Sequence, residues 1–261
     1  MSFKSWQSYW KFRNAVTNSS RYIFEEETDR FLAEVLETCK LRQRTIKKGA
    51  IFWRSQLGGD SRPVYDDDGN EIADKPCPHP VDRMKPLKFS ASEGRANPKG
   101  IPYLYLATSK ETAMSEVRPW IGSEISVAQF KINNELTIID CSVNHSENPL
   151  YFDLERGFYE PSDEEKEKSV WAHIDKAFSE PVVQNDNSAH YVPTQIIAEL
   201  FKNNGFDGIA YKSLLSDGYN VVLFHPEVAE ILNCFLYEAK NVKFEFNETA
   251  NPYFIRKQSE T

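Results

Sequence analysis

One stretch of the chain, GRANPKGIPYLYLATSKETAMSEVRP (residues 94–119), places an arginine, two tyrosines and a glutamate where each could do chemistry. Gly94, Asn97, Pro98 and Gly100 predict a turn that holds Arg95 at a loop-to-strand junction, from which a guanidinium can reach into a cleft. Alternation along the strand that follows puts Tyr103 and Tyr105 on one face and Leu104 and Leu106 on the other. Thr108 and Glu111 read as a capping box that starts a helix, which Pro119 ends. Ala113 and Val117 give that helix an apolar side, and Glu116 borders it. A carboxylate at the edge of a core can be partly desolvated without being buried unpaired, the usual condition of a working glutamate. The same residues also admit a plainer arrangement, a structural Arg95–Glu116 ion pair beside a core Tyr105.

The flanking sequence supplies the elements that must position these groups. Residues 4–17, with Trp6, Trp10 and Val16, and residues 27–40, with Phe31, Val35 and Cys39, have helical spacing and read as two packing helices. The run AIFWRSQ (50–56) predicts a strand with Phe52 and Arg54 on one face and Trp53 on the other. Residues 58–87 are rich in turn formers without sustained periodicity and predict a long loop or flap. ISVAQFKI (125–132) and LTIIDC (136–141) predict two strands paired with each other. A capping box from Ser162 to Glu165 and a stripe of Val170, Trp171, Ile174 and Phe178 predict an amphipathic helix. Pro193 opens and Gly205 closes a further helix, followed by a strand with Ile209, Tyr211 and Ser213 on one face and by the strand YNVVLF (219–224). Short strands with interspersed helices, without regular βαβ repetition, favour an α+β fold.

Composition narrows the functional classes. With 40% hydrophobic and 27% charged residues, 261 residues form one main domain with decorations. A formal charge of −8 and a pI near 5.3 argue against phosphate-driven nucleic-acid binding. No apolar stretch approaches the roughly 18 residues of a membrane span, and the N-terminus lacks a signal-peptide core, so a cytoplasmic protein is expected. Cys39, Cys77, Cys141 and Cys234 are scattered without a CxxC pair, which fits reduced thiols. CPHP (77–80) offers one Cys and one His in a Pro-rich loop, and no metal site is expected from it. His225, in LFHPE, reads as a strand-end histidine.

Taken together, GRANPKGIPYLYLATSKETAMSEVRP, YVPTQIIAELFKNNGFDGIAYKS and GYNVVLF resemble the RES domain family, named for arginine, glutamate and serine, over roughly residues 50–225. The resemblance implies residues 46–261 as a RES domain with insertions at about 58–87 and 144–190, behind an N-terminal helical extension of residues 1–45. It implies an ADP-ribosyltransferase-like fold and an enzyme that cleaves the nicotinamide–ribose bond of NAD+, the substrate rather than a cofactor. Within that pattern Glu116 and Arg95 match the catalytic pair, while Arg54, Tyr105 and Ser213 match substrate-binding positions. Ala96 departs from the family's usual tryptophan after the loop arginine. Water, phosphate or a macromolecule as ADP-ribose acceptor all stay open, as does a catalytically silent interaction module. A toxin role, a cognate antitoxin and a homodimer are further expectations of the resemblance alone.

Overall fold

The computed structural model describes residues 3–87, 90–145, 152–153, 157–180, 188–243 and 246. The chain begins with α1 (Ser8–Asn18) and α2 (Glu26–Thr38), then enters β1 (Gln43–Ile46), β2 (Ile51–Leu57), β3 (Asp60–Tyr65), β4 (Glu71–Cys77) and β5 (Leu104–Ala107). The short helix α3 (Lys110–Glu116) leads to β6 (Glu124–Ile132), β7 (Leu136–Asp140), β8 (Phe152–Asp153) and β9 (Gly157–Phe158). The last third holds α4 (Asp163–Ser179), α5 (Val192–Asn203), β10 (Gly208–Lys212), β11 (Tyr219–Leu223) and β12 (Ala229–Glu238). Eight strands form one sheet in the order β1-β7-β10-β11-β5-β2-β6-β12, in which β7 and β10 run parallel and the other neighbours antiparallel. This mixed sheet with the five α-helices of the described residues is an α+β fold.

Strand alternation gives the sheet two apolar faces. On one face Tyr103, Ile139, Ile209, Tyr211 and Val222 meet Phe12, Phe31, Val35, Trp171, Phe178 and Phe201 from α1, α2, α4 and α5 in a single cluster. The two N-terminal helices are therefore built into the same core as the sheet. On the other face Phe52, Leu104, Leu106, Phe130, Ile138 and Val221 pack with Met84 in a second cluster, to which none of α1–α5 contributes a described residue.

Local signals fixed several ends. Ser162 accepts from the Glu165 amide and Glu165 reaches back to the Ser162 amide, the predicted capping box. Pro193 lies in the first turn of α5, and Gly205 follows its end with φ 84°. Three expectations are corrected. The stretch 58–87 contains the β3–β4 hairpin, whose residues are exposed on both faces, so no apolar alternation marks it. β6 and β7 are not partners: the Asn133 amide past β6 donates to the Val228 carbonyl, β6 pairs with β2 and β12, and β7 joins β1 and β10. The cap of α3 is Ser109, which accepts from the Thr112 amide at 3.1 Å, while the Thr108 hydroxyl accepts from the Tyr219 amide and ties α3 to β11.

A buried histidine in α4 gives the fold a pH dependence. His173 is 8% exposed and accepts a hydrogen bond from the Trp10 indole at 3.2 Å, and burial pushes its pKa down to about 4. Its protonation thus favours the unfolded chain. The stability this site supplies is complete above the unfolded value near 6.5 and is lost as pH falls toward 4. Thermal melts should fall more steeply between pH 7 and pH 5 for the parent than for His173→Gln, and equal slopes would dismiss the site as a contributor.

Candidate active site

Three elements converge on Glu116. It is the last residue of α3, and its Oε1 accepts from Ser213 Oγ, just past β10, and from Asn220 Nδ2, in β11, both at 2.7 Å. Ser213 is 3% and Asn220 6% exposed, so the carboxylate is held by two buried donors. Among the described residues no hydrogen bond reaches Oε2. The approach of the β10–β11 turn to α3 requires glycine at 218, because a Cβ there would lie 2.1 Å from Thr112 Oγ1. Thr112 Oγ1 also meets Ser216 Oγ at 3.1 Å, which completes the contact between turn and helix.

A second lattice fixes the loop that carries Arg95. The Tyr105 hydroxyl donates to Asn97 Oδ1 at 2.7 Å and accepts from the Ala96 amide at 3.0 Å. Burial raises the phenol pKa well above its ordinary value, which keeps the hydroxyl a donor. Asn97, 2% exposed, donates to the Ser92 and Ile101 carbonyls at 2.9 and 2.8 Å. From α5, Gln195 donates to the Gly94 and Asn97 carbonyls and Thr194 to the Arg95 carbonyl. Gly94 packs so closely on this lattice that a Cβ would sit 2.5 Å from the Tyr105 oxygen.

Between these two lattices opens a cavity of about 520 Å³, lined among others by Arg54, Asn97, Tyr105, Glu116, Tyr211 and Asn220. That volume suits a nucleotide-sized ligand. Arg54 donates from Nη1 to the Tyr105 carbonyl at 3.1 Å, and its Nε is buried without a partner among the described residues. Burial lowers its pKa, and an anion beside it would offset that desolvation.

Arg54, Tyr105 and Glu116 thus share the cavity, and Ser213 acts on it through Glu116. Arg95 is placed differently. Its Nη1 donates to the Phe178 and Ser179 carbonyls at 2.6 and 3.1 Å, at the C-terminal end of α4 where a helix favours a cation. Its guanidinium lies 6.0 Å from the Tyr211 ring centre, and it is not among the residues lining the cavity. The plainer Arg95–Glu116 ion pair is therefore not formed, since each side chain has other partners.

Sequence reasoning passed over Asn220 and treated Asn97 only as a turn former. The available signal for Asn220 was a lone amide in the otherwise apolar strand YNVVL. The histidines lie elsewhere: His79 is 3% exposed with Nε2 3.1 Å from the Leu57 carbonyl, and His225 faces Glu227 on the surface at 3.6 Å. Among the described residues no group of three or more His, Cys, Asp or Glu side chains could hold a metal ion, and the four cysteines are free. No described helix is long and apolar enough to cross a membrane.

Comparison with known proteins matches residues 76–244 to the model of a family described as the RES domain. The matched span includes Arg95, Tyr105, Glu116, Ser213 and Asn220, and it begins after β2, so Arg54 lies outside it. Among solved structures, the M. tuberculosis MbcT–MbcA toxin–antitoxin complex is similar at 13% identity and a TM-score of 0.41, covering 78% of this chain and 92% of that one. No curated protein matches the sequence.

Proposed function

The chain belongs to the RES domain family, and on that footing we propose that its cavity binds NAD+ and cleaves the nicotinamide–ribose bond. The observation that carries this reading is the Glu116 carboxylate, fixed through Oε1 by Ser213 and Asn220 in the wall of a nucleotide-sized cavity. When the glycosidic C–N bond breaks, its electron pair goes to the pyridinium nitrogen and nicotinamide leaves neutral, so no general acid is required. Positive charge develops on the ribose in the transition state, where a preorganised carboxylate stabilises it more than it stabilises the ground state. Ser213 and Asn220 hold the carboxylate in place rather than attack. The electron-rich face of Tyr105 suits the cationic nicotinamide ring, and Arg54 suits an anionic group.

Addition of water to the ribose carbon gives ADP-ribose and releases a proton, whereas addition of phosphate gives ADP-ribose 1″-phosphate. NAD+ is the substrate in this reading and no further cofactor enters. The family resemblance extends the reading to a cytoplasmic toxin that depletes NAD+ and is restrained by a cognate antitoxin. Purified protein incubated with NAD+, with and without phosphate, should release nicotinamide, and phosphorus NMR of the product should identify the acceptor. No release at high protein concentration would sink the reading and move the weight to a macromolecular acceptor or a silent binding module.

A further inference from the structure

The pyrophosphate of a dinucleotide suits a pair of cationic side chains, and of the arginines the family pattern marks only Arg54 is among the described residues lining the cavity. Arg95 donates from Nη1 to the carbonyls at the end of α4 and is not among the described residues lining the cavity, and one nitrogen of Arg54 donates to the Tyr105 carbonyl. Two other cations line the cavity instead: Arg83 and Lys85, on the segment that follows the β3–β4 hairpin.

Their placement is built. Met84, between them, is fully buried in the core that the sheet covers, which pins the segment and leaves both flanking residues on the cavity wall. The Arg83 and Met84 amides close turns on the Pro80 and Val81 carbonyls, and Gln56 from β2 donates to the Arg83 carbonyl at 2.8 Å. Among the described residues neither Arg83 nor Lys85 has an ion-pair partner. Among the described residues, the charged side chains lining the cavity are three cations, Arg54, Arg83 and Lys85, against two carboxylates, Glu93 and Glu116. One of these carboxylates, Glu93, is already engaged by Gln195. In a chain of net charge −8 this is a local excess of positive charge on the cavity wall, the arrangement that attracts a polyanion.

We infer that Arg83 and Lys85 are the cations that hold the pyrophosphate of the dinucleotide, with Arg54 completing the site from β2. This inference rests on the NAD+ reading and assigns the substrate's anionic half to residues that no motif marked. The segment after the hairpin then serves as a binding wall of the cavity that Glu116 also lines.

The test is binding of ADP-ribose by titration calorimetry, together with steady-state nicotinamide release, for the parent, Arg83→Ala/Lys85→Ala and the charge-retaining Arg83→Lys/Lys85→Arg. The alanine pair should weaken ADP-ribose binding by at least about tenfold, the scale of one lost charge-assisted hydrogen bond. It should also raise the KM for NAD+ by more than it lowers kcat, and flatten the salt dependence of binding. The charge-retaining pair should recover most of the loss, which separates charge from packing. An alanine pair that binds ADP-ribose like the parent overturns the assignment and leaves the enzyme reading standing. So does one in which only the dependence of rate on inorganic phosphate changes, because the cations would then serve the acceptor. A parent that neither binds ADP-ribose nor releases nicotinamide overturns both.

Discussion

Glu116→Gln is expected to slow nicotinamide release from NAD+ by about 10²- to 10³-fold while the protein keeps close to its parent stability. The two halves of that expectation come from different atoms. The amide carbonyl of glutamine can still accept from Ser213 and Asn220, so the buried donors stay satisfied. The negative charge that stabilises the developing cation is gone. Glu116→Ala is a poorer probe, because it leaves two buried donors without an acceptor and should cost about 1–3 kcal/mol of stability in addition. Ser213→Ala should fall between, losing one of the two bonds that orient the carboxylate while the charge remains. Circular dichroism melts beside the kinetics distinguish these cases. A folded Glu116→Gln protein that turns NAD+ over at the parent rate would falsify the role given to this carboxylate.

What the sequence disclosed about this site depends on whether a residue's role is set by its neighbours in the chain or in space. Ser162 with Glu165, Pro193 at the start of α5 and Gly205 after its end each act on the helix terminus beside them, so their types predicted those ends. Glu116 on the helix after the loop, bordering its apolar face, and Tyr105 on an aromatic strand face were legible from period. Strand order was not, because β6 and β7 are adjacent in sequence yet find their partners elsewhere in the sheet. The β3–β4 hairpin was invisible for the opposite reason: exposed on both faces, it has no hydrophobic alternation to read. The one-residue difference between Thr108 and Ser109 as the cap arises because the Thr108 hydroxyl is taken by β11, a contact across 111 positions. The direction of Arg95 is likewise decided by the end of α4, more than 80 positions away. A motif can supply an arginine without saying where its guanidinium points.

The loop lattice yields the second large expected effect, because one polar contact there is defended by both a hydrogen bond and a missing Cβ. Asn97→Ala would take the acceptor from the Tyr105 hydroxyl and the Asn97 donor from the Ser92 and Ile101 carbonyls, a loss of about 2–4 kcal/mol. In a chain of this size that lowers Tm by roughly 5–15 °C. Gly94→Ala attacks the same contact sterically, placing a Cβ 2.5 Å from the Tyr105 oxygen and 2.7 Å from Asn97 Oδ1. Tyr105→Phe removes the oxygen and keeps the ring, so it should cost about 1–2 kcal/mol while preserving the face offered to nicotinamide. The two substitutions should then couple. In the Tyr105→Phe background Gly94→Ala should cost about 1 kcal/mol less than in the parent, since the closest atom that its methyl meets is no longer there. Denaturant melts of the four proteins measure that coupling directly. Strict additivity would mean that the glycine is demanded by Asn97 and the backbone rather than by the tyrosine. The loop would then be organised around Asn97, with Tyr105 free to serve the cavity alone.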